Sequence, residues 1–141
     1  MQSLDTNVVV RLILCDDPRQ FPLAEKTWLD ALKHGGIFLS MTVLLETHWV
    51  LSRSAGFDRT RIVSELQRLS QLDGVRLENA EIVARAIERY ADSQSDFADC
   101  VILECSRSQG ALPVRTFDKR FSRLDGVSLI EDPMPAPQKV Q

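Results

Sequence analysis

Histidine is almost missing from this chain. His34 and His48 are the only two in 141 residues, too few for a zinc site built on imidazoles. Cysteine is scarce as well. Cys15, Cys100 and Cys105 are odd in number and include no Cys-x-x-Cys pair, so they read as reduced thiols of a cytoplasmic protein, not as a disulfide framework. No apolar run approaches the ~18 residues of a membrane-spanning helix. The opening stretch has neither the basic segment nor the small-residue site of a signal peptide. Excess positive charge is lacking too: 17 Lys and Arg stand against 20 Asp and Glu, a net charge of −3. That excludes a general cationic coat for nucleic acid, so such binding would need a local basic patch or metal ions. What is present is an ordinary apolar fraction, 44%, in a chain of single-domain length. At this size roughly two-thirds of the unfolded surface can be buried without metal or disulfide.

The chain has no internal repeat and no low-complexity segment. Three prolines between Pro133 and Pro137 can feed neither a helix nor a central strand. Residues 133–141 therefore read as an extended tail and 1–132 as the domain. Asp17-Pro18 suits a helix entry, and Leu23, Ala24, Thr27, Trp28, Ala31 and Leu32 recur at helical spacing until Gly35-Gly36. Helical spacing returns from Met41 to Leu51, then after Asp58, after Asn79 and after Ser95 or Asp96, with Asp58 and Asn79 as caps. Ile37–Leu39, Val75–Leu77, Leu112–Phe117 and Val127–Ile130 read as short strands. The segment Val8–Leu14 is ambiguous, because its β-branched residues favour a strand while Asp5-Thr6-Asn7 is helix-cap chemistry. Strands alternating with helices predict an α/β fold, a central mainly parallel sheet flanked by helices. In such folds ligands collect at the carboxyl ends of the strands.

Carboxylates stand at those places. Asp5 follows the first apolar stretch and ends a strand, Glu46 lies inside an otherwise apolar helix, Asp96 and Asp99 are at the start of a helix, and Asp118 is at a strand end. Each has a bland role: capping for Asp5, Asp96 and Asp118, and complementing the helix dipole for Asp99. Glu46 shares a helical face with Thr42, Trp49 and Val50 and is expected to be part-buried, where a lone carboxylate is costly. Taken together, the acids repel one another by several kcal/mol per close pair, about 4 at an effective dielectric near 20. Shared protons or a divalent cation would relieve that, and oxygen-only ligands select Mg²⁺ or Mn²⁺.

The segments Leu4-Asp5-Thr6-Asn7, Leu44-Leu45-Glu46, Asp96-Phe97-Ala98-Asp99-Cys100 and Thr116-Phe117-Asp118-Lys119-Arg120-Phe121 occur in this order. With their spacing they resemble the PIN-domain ribonucleases, most closely the VapC-type toxins of bacterial toxin–antitoxin pairs. The resemblance spans nearly the whole domain and implies a three-layer PIN-like sandwich. It implies that Asp5, Glu46, Asp99 and Asp118 hold Mg²⁺, with Asp96 placed to replace or support Asp99. Thr6, Asn7 and Thr116 match polar positions that orient the acids and water. Cys100 departs mildly from the family, which favours a small residue there. The implied chemistry is attack of a metal-activated water on an RNA phosphodiester, with Glu46 as general base or outer ligand. Implied partners are a VapB-like antitoxin and a second copy of the chain. Phe38, Trp28, Trp49 and Phe57 are candidates for apolar interface, although such stripes more often belong to the core.

For substrate contact, Arg115, Lys119, Arg120 and Arg123 surround Asp118, with Arg11 one face over. They form a basic patch suited to phosphates, or simply a solvated helix end. A phosphoacceptor receiver domain would need an acidic pair at the first strand end, and a haloacid-dehalogenase-like phosphatase an acid two residues after the first. Asp5 stands alone and Asn7 occupies that second place. The remaining rival is a non-catalytic binding module with the same fold.

Overall fold

Asp5 decides how the chain begins. A computed structural model describes residues 1–131; residue 132 and the tail expected at 133–141 lie outside them. Strand β1 (Gln2–Ser3) stops just short of Asp5, and helix α1 (Thr6–Leu14) starts just after it. The Asp5 carboxylate accepts from the Val8 amide at 3.3 Å. A cap at this position, with Val9 and Val10 facing inward, outweighs the strand preference of the valines. Asp17 opens helix α2 (Gln20–Lys33) in a similar way, its carboxylate accepting from the Arg19 and Gln20 amides at 2.9 and 2.8 Å.

Strand β2 (Ile37–Leu39) follows the Gly35-Gly36 turn, then helix α3 (Met41–Trp49), which runs on through a π-helical turn at Val50–Ser54. Helix α4 (Arg59–Gln71) is capped by Asp58, which accepts from the Arg61 amide at 2.8 Å. Strand β3 (Val75–Leu77), helices α5 (Ala80–Ala91) and α6 (Phe97–Ser108), and strands β4 (Val114–Thr116) and β5 (Val127–Leu129) complete the described chain. Asn79 does precede α5, but in a left-handed conformation (φ 52°) with no side-chain cap bond. It serves there as a turn residue that tolerates positive φ, not as the expected cap.

Every strand pair is parallel. The order β1-β2-β3 sets Gln2 opposite Ile37 and Leu39 opposite Leu77, while β4 and β5 pair separately, Val114 opposite Val127. The expected parallel α/β architecture is thus observed, its strands bonded as two groups. Ile37 and Leu39 are fully buried and pack with Leu44, Leu51, Ile62, Leu66, Val83 and Phe97 in one core. Because β1, β2 and β3 run the same way, the residues that follow them share one edge: Asp5, Ser40 and Glu78.

Inside the helical layer, His48, Tyr90 and Phe97 stack their rings with centroids 5.1–5.9 Å apart. His48 Nε2 lies 3.3 Å from the Tyr90 hydroxyl. Burial pushes the His48 pKa below its usual value, favouring the neutral ring. Arg59, at the start of α4, lies over the Tyr90 ring at 4.0 Å. It donates to the carbonyls of Tyr90 and Ser95 at 2.8 and 2.9 Å. One guanidinium thereby joins α4 to both ends of the turn between α5 and α6. Among the described residues no helix is long and apolar enough to cross a membrane.

Candidate active site

The turn held by Arg59 leads into a cleft. Asp96 occupies the N-cap position of α6 without spending its side chain on a cap bond, so the carboxylate remains available. Asp99 lies in the first turn of that helix. Asp118 comes from the segment after β4, where its amide donates to Thr116 Oγ1 at 3.0 Å. Its own carboxylate accepts from the Arg120 and Phe121 amides at 2.8 and 3.2 Å. Gln94, Ser95, Asp96, Asp99, Asp118 and Arg120 line a cleft of about 230 Å³.

Asp99 registers this convergence. Its pKa is raised, first by burial and then by the negative charges of Asp96 and Asp118. Ser95 adds a polar atom that the sequence did not single out: it is 3% exposed and its hydroxyl has no partner within the protein. Nothing in the run Ser93-Gln94-Ser95 marks which hydroxyl is buried, so only the fold identifies it.

The other predicted acids do not line that cleft. Thr6 Oγ1 donates to Glu46 Oε1 at 2.7 Å, linking the starts of α1 and α3. Asp5 stands beside them in sequence, exposed and engaged in its cap; Asn7 is exposed. Glu46 is exposed rather than part-buried. It does share a face with Thr42 and Trp49, but that is the outer face: α3 turns Val43, Leu44, Thr47 and His48 inward. Glu78 was overlooked. It follows β3 as Asp5 follows β1, and its carboxylate accepts from the Met41 amide at 2.7 Å. The strand-end rule applied to Val75–Leu77 would have found it.

The donor set suits a hard divalent cation in kind: oxygen ligands only, around a cleft where like charges press on one another. In position it is not preformed. Among the described residues no three His, Cys, Asp or Glu side chains stand ready to share one ion.

Of the basic residues, Arg120 lines the cleft, while Arg115, Lys119 and Arg123 are exposed nearby in sequence. Arg11 is drawn away, paired with Asp16 at 3.2 Å. Of the apolar interface candidates, Trp28, Phe38 and Phe57 are half-buried, Trp28 and Phe57 against the core, and Trp49 is 58% exposed.

A family model described as the PIN domain matches residues 3–127. Among solved structures, the chain is similar to Mycobacterium tuberculosis VapC20, described as a sarcin-ricin loop cleaving toxin. That likeness has 23% identity and a TM-score of 0.45 and covers 90% of this chain and 97% of the other. No curated protein matches the chain.

Proposed function

The chain belongs to the PIN-domain family, and from that premise we propose that it is a Mg²⁺-dependent endoribonuclease of the VapC toxin type. One observation carries the reading: Asp96, Asp99 and Asp118 converge on a single cleft, and the middle acid has its pKa raised by burial and by the other two. A fold that gathers carboxylates against their own repulsion has a use for the charge they present.

Asp96, Asp99 and Asp118 would hold the cation, with Asp5 reaching in from the strand edge. Bound there, Mg²⁺ or Mn²⁺ would supply Lewis acidity toward a phosphodiester and a water of lowered pKa. The residues around it divide the remaining work. Thr116 fixes the loop that carries Asp118, through the bond from the Asp118 amide. Thr6 orients Glu46 through its hydroxyl, and in this reading that exposed carboxylate would serve as general base or outer ligand. Ser95 lines the cleft, and its buried hydroxyl is left without a partner in the protein. Arg120, on the rim, is placed to neutralise a substrate phosphate. The resemblance extends the proposal to a VapB-like antitoxin that covers the site and to a homodimer. A monomer by light scattering at micromolar concentration would remove the dimer.

The rival reading, a non-catalytic module of the same fold, draws on the absence of a ready three-residue chelate among the described residues. Expression in a bacterial host, with Asp5→Asn and Asp99→Asn alongside, separates the two. The nuclease reading expects growth arrest from the wild type alone. It also expects Mg²⁺-dependent RNA cleavage by the pure protein that falls below about one hundredth in either variant. Equal toxicity from all three chains would mean that the harm does not pass through the acidic cleft. Folded wild type that cleaves no RNA with Mg²⁺ or Mn²⁺ would favour the rival.

A further inference from the structure

Phe117 is 80% exposed, the most exposed of the large apolar side chains among the described residues. It lies one residue past the end of β4 and directly before Asp118, which lines the acidic cleft together with Arg120. Leaving a phenyl ring in water forfeits what its burial would gain. Its surroundings say what would cover it. Arg115, Lys119 and Arg120 are all exposed and lie within three residues of it. An aromatic ring interleaved with cations, beside a cleft suited to phosphodiester chemistry, is the make-up of a platform for single-stranded nucleic acid.

We propose that Phe117 is a stacking platform for a nucleobase, seating the nucleotide next to the phosphate presented to the Asp96–Asp99–Asp118 cleft. The ring takes any base on its π-face, and Arg115 and Lys119 hold the backbone on either side. Phe117 is thus a positioning residue for RNA and touches no bond that changes. The inference rests on the nuclease reading for the identity of its ligand, but binding and cleavage can be measured apart.

The test uses the full chain, with EDTA present to prevent cleavage, and a fluorescein-labelled single-stranded RNA of mixed sequence followed by anisotropy. Because the ring is exposed, Phe117→Ala should fold with an unchanged melting temperature. It is expected to weaken binding roughly five- to a hundredfold, the range for one stacked base. Phe117→Trp should restore binding, and its added indole emission should be quenched as RNA is titrated in. Leu23→Ala, removing an exposed apolar side chain of α2 (63% exposed), should leave affinity unchanged. Equal affinity of wild type and Phe117→Ala overturns the proposal. So does an equal loss in Leu23→Ala, or a Phe117→Ala variant that loses only self-association, which would assign the ring to a protein contact. RNA binding that depends on Phe117 without any cleavage under Mg²⁺ would keep this inference and sink the nuclease reading. Cleavage with KM unmoved by Phe117→Ala would do the reverse, and a wild type that binds no RNA in EDTA removes this inference while leaving the nuclease reading to the cleavage assay.

Discussion

Asp99 bears the electrostatic cost of the cleft. Its ordinary pKa of 3.8 is raised by burial and then by Asp96 and Asp118. Between the ordinary and the raised value, the folded chain keeps a proton that the unfolded chain has released. Stability therefore falls as pH rises through that window, and the cost stands in full at neutral pH. Asp99→Asn removes it. In chelator at neutral pH this variant should melt a few degrees above wild type, with the difference shrinking as the pH is lowered into the window. Added Mg²⁺ should then raise the melting temperature of wild type and move the variant far less. A variant that melts below wild type at neutral pH would show that the ionised Asp99 carboxylate is not a net cost to the fold. Cys100, the next residue, presents the opposite case: burial pushes its thiol up to about 11, so it stays protonated and inert beside the acids.

At the scale of elements, the tightest constraint lies where β2 begins. Gly36 has φ +106°, and a Cβ there would stand 2.7 Å from the Gly74 carbonyl oxygen. That same oxygen accepts from the Ile37 amide at 2.7 Å, so the start of the β2–β3 ladder has no room to give. Gly36→Ala should cost roughly 1–3 kcal/mol from backbone strain alone, read as a lower urea midpoint at unchanged slope. An unchanged midpoint would mean that the strand can shift after all. The same contrast explains which elements could be read from sequence. Short strands bounded by glycine and helices opened by Asp17 or Asp58 are written in local chemistry, and they appear where that chemistry puts them. Val8–Leu14 was undecidable locally because propensity and cap disagreed. The burial of α3 was misjudged around Glu46 because periodicity gives a face but not which side of it meets the core. The five acids could be listed from their positions, but which of them line one cleft, Asp96, Asp99 and Asp118, and that Thr6 bonds Glu46, depends on how α1, α3 and α6 are set against one another. No local pattern encodes that.

Over the whole molecule, Arg59 ties distant parts of the chain together. Its two hydrogen bonds to the Tyr90 and Ser95 carbonyls and its place over the Tyr90 ring are made by one half-buried side chain. Arg59→Ala should cost about 2 kcal/mol or more, as charged hydrogen bonds to backbone do. It should also lower RNA cleavage without touching the acids. Full stability in that variant would show the clamp to be dispensable.

The clamp also sets how the molecule comes apart. Amide hydrogens in the first turn of α4 and in the turn from 91 to 96 should exchange with solvent at a common opening free energy, since neither can swing free while the guanidinium holds both. The 91–96 side of the cleft is then expected to have no melting event of its own: warming should fray it together with the start of α4, and until then a protease should find that turn closed.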